Sequence, residues 1–336
     1  MKFDARNIID KRIVIYTNWS ASLLNQAIKS IYKEINIYAI CYIDEEQEKI
    51  EIPVINFDDM LNLDKVAILI AQDDKYIKET IRLLSEKQIM YDHIHNYSEK
   101  ILIQRLNLLN YKEYIDINGN KIKFESINPR GNIIISNKGG GRSNIVELGN
   151  ISVSSMMTIS LFGDNSITKI GDSSFFEVNI LQTTNTEIEI GNDCMFSHGI
   201  TLSPTDQHLI FDLNTRKRVN ISKKMVVGNH VWCGRSVSLL GGAKIADNCV
   251  IGAGSVTAGK FDDKNCVIAG NPAKVIRRNI LWARDSQQND YMNFEQCSDQ
   301  TGLKYIESEQ SHRIEVLYQQ LQKIQEELEE MMNSKE

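Results

Sequence analysis

Several absences narrow what this chain can be. None of its 6 cysteines lies in a C-x-x-C pair, which argues against a cysteine-based zinc site or a disulfide framework. No apolar run approaches the roughly 20 residues of a membrane-spanning helix. The first apolar run, at residues 13–16, is too short for the core of a signal peptide. We therefore expect no membrane span, and a cytoplasmic protein whose thiols stay reduced.

A surplus of positive charge is also missing. The net charge is -6 and the pI is about 5.7, which argues against a general nucleic-acid-binding protein. An apolar fraction of 42% is ordinary for a globular protein with a core. Because 336 residues exceed one typical domain, we expect two or three structural units.

What the chain does contain is a repeat of six residues that is clearest from Val227 onward. The first position of each hexad is mostly a medium-sized apolar residue, as in Val227, Cys233, Leu239, Ile245, Ile251 and Thr257. The second position is usually glycine or alanine, as in Gly228, Gly234, Ala246, Gly252 and Ala258. The fifth position is small or β-branched, as in Val231, Val237, Ala243, Cys249 and Ser255. The same phase recurs earlier, at Ile190 and more weakly at Ile170.

A period of six fits neither a helix, which needs a period near 3.6, nor an ordinary strand, which needs a period of 2. It fits short strands stacked coil upon coil. Each coil then places one apolar residue on an inner wall, and the chain turns at a small residue. The repeat therefore predicts a β-solenoid. Cys194, Cys233 and Cys249 fall on its small apolar positions and are interpreted as packing thiols.

The first hundred residues carry a different pattern. Apolar runs typical of strands lie at 11–16, 37–43, 54–55 and 66–71, and helical spacing is found at 22–33 and 76–88. This alternation predicts a small parallel, Rossmann-like α/β lobe. The turn after its first strand has no glycine and contains Trp19, which would crowd a pyrophosphate. We therefore favour a structural or docking lobe over a nucleotide site. A linking helix is predicted for residues 97–110.

The hexads are interrupted between Ser203 and Val226. Solenoids accept such insertions as loops, and those loops often form binding sites. This insertion carries His208 with Asp206 and Asp212 nearby, followed by the basic group Arg216-Lys217-Arg218. On the next coil, Trp232 occupies an outward slot, which predicts that a ligand or a neighbouring subunit covers it.

At this point the motifs become recognisable. They are Ile190-Gly-Asn-Asp-Cys-Met-Phe-Ser, Thr205-Asp-Gln-His208, Val227-Gly-Asn-His-Val-Trp-Cys-Gly, Ile251-Gly-Ala-Gly-Ser-Val and Ala269-Gly-Asn-Pro-Ala-Lys274. In this order they resemble the hexapeptide-repeat acyltransferases, and more narrowly the bacterial O-acetyltransferases of capsule, lipopolysaccharide and sialic-acid glycans. The resemblance covers residues 163–278. It implies a left-handed parallel β-helix, a homotrimer and acetyl-CoA as the donor substrate. The N-terminal lobe separately resembles the α/β domain of some sugar-nucleotide acetyltransferases.

The resemblance also implies catalytic roles. His208 corresponds to the family's general base, which removes the proton of the acceptor hydroxyl. Asp206 or Asp212 would hold the imidazole in one tautomer. Trp232 would lie against the thioester, where its indole N–H or a nearby backbone N–H stabilises the oxyanion.

A second set of residues is predicted to bind the coenzyme. Small residues would leave space for the pantetheine arm, and cationic side chains would bind the phosphates of the coenzyme. The alternative for each cation is that it is an ordinary surface charge. The predicted set is Trp232, Gly234, Ala253, Gly254, Ala258, Lys260, Pro272, Lys274 and Arg277, with Arg278 as a further cation. The basic groups at 216–218 and 223–224 either attract an anionic acceptor or belong to an ordinary solvated loop.

Two other histidines, His198 and His230, are interpreted as surface residues that are solvated or hydrogen-bonded. The competing hypothesis is a zinc site built from His198, His208 and His230 across a trimer interface, as in β-helical carbonic anhydrases. Their spacings of 10 and 22 residues do not match that family, and we expect no metal.

The C-terminal region changes pattern again. Apolar residues spaced three and four apart predict a coiled-coil seam of about three heptads, formed by Ile314, Leu317, Leu321, Ile324, Leu328 and Met331. An amphipathic helix lying on its own β-helix is the alternative. The predicted units are an α/β lobe at 1–100, a linker at 101–144, the β-helix at 145–280 and a helical segment at 281–336.

Together these patterns predict an acetyl-CoA-dependent O-acetyltransferase that modifies a hydroxyl of a bacterial surface glycan. The alternatives are an N-acetyltransferase of a sugar-nucleotide amine and a trimeric scaffold without activity. The sugar, its hydroxyl and the choice between polymer and monomer are left open by the sequence.

Overall fold

The computed structural model describes residues 2–8, 10–30, 35–43, 52–72, 74–97, 100–128, 130–285 and 292–333. Its α-helices are α1 (Ala21–Ser30), α2 (Phe57–Leu61), α3 (Asp74–Glu86), α4 (Ile103–Leu108) and α5 (Thr301–Asn333). The strands up to the first full coil are β1 (Lys2–Asp4), β2 (Arg12–Thr17), β3 (Ile37–Tyr42), β4 (Val66–Ala71), β5 (Met90–His93), β6 (Lys100–Leu102), β7 (Glu113–Ile115), β8 (Lys121–Ile127) and β9 (Asn132–Ser136).

The later strands follow in chain order. They are β10 (Ile145–Leu161), β11 (Ile167–Ile170), β12 (Ser173–Gln182), β13 (Glu187–Ile190), β14 (Cys194–Phe196), β15 (Ile200–Ser203), β16 (Met225–Val227), β17 (Trp232–Cys233), β18 (Ser238–Leu240), β19 (Lys244–Ile245), β20 (Val250–Ile251), β21 (Val256–Thr257), β22 (Lys260–Phe261), β23 (Cys266–Gly270) and β24 (Ala273–Arg278).

The N-terminal lobe is a four-stranded parallel sheet in the order β3-β2-β4-β5. Its central strands are continuous apolar runs because both faces of a parallel sheet are covered. The predicted third strand at 54–55 is wrong, because the structure has only an isolated bridge there, between Ile40 and Val54. In the turn after β2, the Trp19 amide donates to the Thr17 hydroxyl at 2.9 Å, so this amide is not free to bind a phosphate.

The hexads form a prism with three faces, each a stack of parallel strands. Face 1 contains β11, β13, β16, β19 and β22, face 2 contains β14, β17, β20 and β23, and face 3 contains β15, β18 and β21. The long strands β10 and β12 bend around the corners and pair on more than one face. The predicted parallel β-helix is thus confirmed.

Side-chain burial follows the hexad positions. The first-position residues Val227, Cys233, Leu239, Ile245, Ile251 and Thr257 are all buried, and so are the fifth-position residues Val231, Val237, Ala243, Cys249 and Ser255. These two inward positions of each hexad fill the prism interior. The cysteines at inward positions are free thiols packed in this core, as predicted.

The small second position has a specific cause, which is a ladder of Asn and Asp side chains at the corner between faces 1 and 2. Asn192 accepts the Asp172 amide at 2.9 Å, Asn229 accepts the Asn192 amide at 2.8 Å, and Asp247 accepts the Asn229 amide at 2.7 Å. Each acceptor lies directly over the glycine of the preceding coil. A Cβ added to Gly191 would lie 2.6 Å from Asn229 Oδ1, so the ladder and the glycine require each other.

Antiparallel strands cover both ends of the prism. At its start, β7 pairs with β8 and β6 pairs with β9; at its end, β24 pairs with β23. These additions close edges that would otherwise offer unpaired backbone groups. The parallel stack begins at β8, upstream of the predicted start at residue 145. Among the described residues of the helix predicted at 97–110, the α-helix is limited to Ile103–Leu108, because Lys100–Leu102 joins the first coil as a strand.

The helix α5 has 33 residues, so it is about 50 Å long. Four residues of the predicted seam, Ile314, Leu317, Leu321 and Ile324, are 55–57% exposed, so they do not pack on the chain's own β-helix. The side chains of Leu328 and Met331 lie outside the described part of the structure. Across the described ranges, no helix is long and apolar enough to cross a membrane.

Candidate active site

The interruption of the hexads forms an arm between β15 on face 3 and β16 on face 1. The arm is a short irregular hairpin in which Phe211 bridges Arg218 and the Val219 amide donates to the Ile210 carbonyl. Its two ends are joined where the Lys223 amide donates to the Pro204 carbonyl at 3.2 Å. The arm therefore projects from the corner between faces 3 and 1.

His208 lies on the exposed surface of this arm. Its backbone is held by Asn220, whose Nδ2 donates to the His208 carbonyl at 2.6 Å and to Asp206 Oδ2 at 3.1 Å. Asn220 Oδ1 also accepts the Ile210 amide at 2.8 Å. Within the described residues, the His208 imidazole makes no hydrogen bond, so it is available to a substrate. The sequence reasoning missed Asn220, which has no distinguishing mark in the sequence.

The predicted carboxylate partners are engaged elsewhere. Asp206 binds Asn220, and Asp212 accepts the backbone amides of Thr215 and Asn214 at 2.6 and 3.1 Å. The hydrogen bond from the Thr215 amide is the main reason that the pKa of Asp212 lies below its ordinary value. Neither carboxylate contacts the imidazole in the described structure. This corrects the expectation that Asp206 or Asp212 orients His208, because Asp206 instead supports the arm.

Trp232 lies on face 2, between Met195 and Val250 of the neighbouring coils. It points outward, as predicted, and its side chain is 36% exposed. Its backbone amide already donates to the Cys249 carbonyl at 2.9 Å, so that amide cannot serve an oxyanion. The indole N–H of Trp232 makes no hydrogen bond within the described residues, so it stays a candidate donor.

The structure separates the predicted coenzyme residues into two groups. Gly234, Ala253, Gly254, Pro272, Lys274 and Arg277 lie on or beside face 2, the face that carries Trp232. Ala258 lies at the corner between faces 3 and 1, below the root of the arm, and Lys260 follows it at the start of β22 on face 1. Face 3 separates the two groups, so one prism does not bring all the predicted residues together. Arg278 is already paired with Asp263, at 2.9 Å.

The interpretation of His230 as a surface residue is wrong, because its side chain is fully buried. Its Nδ1 lies 2.7 Å from Asp193 Oδ2, and its ring stacks on Trp282 with 4.0 Å between the centroids. Trp282 also lies 6.0 Å from Trp232. Sequence reasoning missed this cluster because Trp282 comes 52 positions after His230.

The three histidines do not form one site within this chain. His198 lies at the corner between faces 2 and 3 with its ring against Phe176, His208 lies on the arm, and His230 is buried under Trp282. In the described ranges, no group of three or more His, Cys, Asp or Glu side chains is placed to hold a metal ion.

Comparison with known proteins finds sequence similarity over about a third of the chain. The chain is 34% identical over 116 residues to a polysialic acid O-acetyltransferase of Escherichia coli O1:K1 / APEC, a match covering 34% of this chain and 38% of the relative. It is 32% identical over 117 residues to a galactoside O-acetyltransferase of Lactococcus lactis, covering 35% of this chain and 55% of the relative. The matches thus span only about half the length of the curated relatives, or less. No family model matches the chain.

A solved structure of a polysialic acid O-acetyltransferase aligns over 89% of this chain and 97% of its own, with 18% identity and a TM-score of 0.47. A galactoside acetyltransferase in complex with coenzyme A aligns over 52% of this chain and 71% of its own, with 20% identity and a TM-score of 0.27. The sequence matches, together with the parallel β-helix built from hexads, confirm that the chain resembles the hexapeptide-repeat O-acetyltransferases.

Proposed function

We propose that this protein is an O-acetyltransferase that moves an acetyl group from acetyl-CoA to a hydroxyl of a bacterial surface glycan. The observation that carries the proposal is the exposed, unbonded imidazole of His208, held on an arm that interrupts a parallel β-helix. The similarity to sugar O-acetyltransferases supports the same reaction.

The proposed reaction is a direct transfer. The His208 imidazole takes the proton of the acceptor hydroxyl as its oxygen attacks the thioester carbonyl carbon. The Trp232 indole N–H would donate to the oxyanion that forms. When the C–S bond breaks, the departing thiolate receives the proton from the His208 imidazolium. The products are the acetyl ester and coenzyme A, and no covalent intermediate on the enzyme is required.

We also propose that the site is completed between copies of the chain in a homotrimer. His208 and Trp232 lie on different parts of one prism, so a neighbouring copy is the simplest way to bring a base to Trp232. The arm exposes apolar side chains that a neighbour would cover. They are Leu209, Ile210, Phe211, Leu213, Val219 and Ile221, each 52–83% exposed.

The proposed donor site lies along face 2. Ala253 and Gly254 are small and exposed, and a Cβ built on Gly254 meets no atom within 4 Å, so the surface there is open. Lys274 and Arg277 make no ion pair with another described residue, which leaves them available to coenzyme phosphates. Arg216 and Lys217 on the arm would attract an anionic acceptor.

The α/β lobe has a structural role in this proposal. An N-acetyltransferase of a sugar nucleotide would use such a lobe to bind the nucleotide, but here the turn after β2 lacks glycine and the Trp19 amide is occupied. We propose a cytoplasmic location, because five of the six free thiols are buried and none is paired in a disulfide.

Acetyl transfer from acetyl-CoA to a panel of acceptors tests the function. We expect ester formation on acidic and neutral glycans and no transfer to amino-sugar nucleotides, measured by release of the coenzyme thiol and by mass spectrometry of the product. Transfer only to amines would contradict the proposal. Absence of both transfer and coenzyme binding would favour a scaffold without activity.

The exposed seam of α5 gives a prediction about assembly. We expect a trimer in solution, and we expect Leu321→Asp to lower the melting temperature of the trimer, because an Asp at a seam position is desolvated without a partner. Sedimentation and thermal unfolding measure both effects. Gln319→Asp, on the opposite side of the helix, is the matched control and should change neither. Equal behaviour of the two variants would show that α5 does not join copies of the chain.

A further inference from the structure

We propose that Trp282 is a positioning residue that holds the Trp232 indole for the donor thioester, and that His230, Asp193 and Arg284 lock Trp282 in place. The proposal rests on the proposed function, since it needs Trp232 to contact the donor. In this proposal, the segment that follows the β-helix and carries Trp282 and Arg284 supports the active site.

Trp232 needs such support because little else fixes it. It belongs to a strand of only two residues, its indole makes no hydrogen bond within the described structure, and it is partly exposed. The Trp282 ring lies 6.0 Å away at an angle of 41°, within the range at which aromatic pairs attract each other. A displaced Trp282 would leave the Trp232 side chain free to change rotamer.

Trp282 itself is held firmly. It is buried, it stacks on the His230 ring with an interplanar angle of 11°, and its Nε1 donates to the His230 carbonyl at 2.9 Å. The Arg284 guanidinium lies 5.3 Å from the centre of the Trp282 ring. The Trp282 ring is therefore stacked on the His230 ring, held by a hydrogen bond from its own Nε1 and close to the Arg284 cation.

The polar groups around it form a closed circuit between two coils and the C-terminal segment. Asp193 binds His230 Nδ1 at 2.7 Å through one oxygen and Arg284 Nη2 at 2.8 Å through the other. Arg284 Nη2 also donates to the Asp193 carbonyl at 2.7 Å, and His230 Nε2 faces the Trp282 carbonyl at 3.3 Å. Moving any member of the circuit would break at least one of these hydrogen bonds or the Arg284–Asp193 ion pair.

The residue type at position 230 indicates that this side chain does more than allow the backbone to turn. His230 has a φ of 51°, in the left-handed region, and the corresponding corners of the following coils hold Asn248 and Asn265 with φ values of 59° and 55°. Asparagine is the ordinary choice there, since it adopts this conformation readily. The histidine adds the ring on which Trp282 stacks.

The same cluster receives the start of α5. A Cβ added to Gly302 would lie 3.2 Å from His230 Nε2, and the Tyr305 ring lies 5.6 Å from the His230 ring. The helix proposed to join copies of the chain therefore begins on the residue that holds Trp282. In this arrangement, docking of α5 and orientation of Trp232 depend on one another.

Coenzyme A binding and acetyl-transfer kinetics of Trp282→Ala test the proposal. We expect kcat to fall about tenfold while the Kd of coenzyme A changes much less, because the Trp232 indole is proposed to donate to an oxyanion that forms only in the transition state. The circular dichroism couplet of the Trp232–Trp282 pair should disappear. Leu281→Ala, at the preceding residue, is the matched control and should keep wild-type values.

A purely structural role for Trp282 predicts a different result. A folded Trp282→Ala protein with a lower melting temperature but unchanged kcat would overturn the proposal. If that variant does not fold, His230→Asn replaces it: the asparagine suits the backbone but removes the stacked ring, and the same fall in kcat is expected. A wild-type protein that does not bind coenzyme A would instead overturn the proposed function itself.

Discussion

Replacing His208 with alanine is expected to lower kcat by about a hundredfold to ten-thousandfold, the usual contribution of a positioned general base. The Kd of coenzyme A should stay near the wild-type value, because the donor residues lie on face 2. The arm should also keep its fold, since Asn220 binds the backbone carbonyl of His208 and not its imidazole. Steady-state kinetics and calorimetric titration with coenzyme A measure these quantities.

His198→Ala is the matched control for this prediction. Its imidazole packs against Phe176 at another corner of the prism, so turnover should change little. Wild-type turnover in the His208→Ala protein would remove His208 from the mechanism. A comparable loss in both variants would indicate that general disruption, and not a missing base, lowers the rate.

Replacing Gly191 with alanine is expected to lower the free energy of unfolding by about 3 kcal/mol, the upper part of the range for overpacked sites. The new Cβ would lie 2.6 Å from Asn229 Oδ1 and 2.7 Å from the Gly228 carbonyl oxygen. One of these atoms is backbone, so relief requires two coils to separate. Thermal or chemical unfolding followed by circular dichroism measures the loss.

Ala246→Gly provides the reverse change at the same corner, two coils further along from Gly191. Since alanine is already accommodated there, removing its Cβ should cost no more than about 1 kcal/mol through the greater freedom of the unfolded chain. If Gly191→Ala were as stable as wild type, the stated reason for glycine at the second hexad position would be wrong.

The β-helix was predictable because its signal is local and repeated. Each hexad places the same residue types at the same inward positions, so every further coil strengthens the prediction. Val227 and Ile245 pair in register, as the period requires. The reason for the glycines was not visible, because it involves a side chain one coil away. Gly191 meets Asn229, which is 38 positions later in the sequence.

The errors concern contacts made over long distances in the chain. His230 was expected at the surface, since nothing near it indicates that Trp282 will cover it. Asp206 was expected to orient His208, because the two are neighbours in sequence, but Asn220 competes for its carboxylate. Residues 100–102 read as part of a helix, but the unpaired edge of β9 binds them as a strand.

The Asn and Asp ladder continues from Asn192 to Asn229 across the whole arm, with a hydrogen bond of 2.8 Å that lies between the 2.9 Å and 2.7 Å bonds at the neighbouring corners. The prism therefore keeps its register regardless of what is inserted between those two coils. An arm of different length or composition would therefore leave this ladder intact, so the segment that carries His208 can vary among related proteins while the prism beneath it is kept.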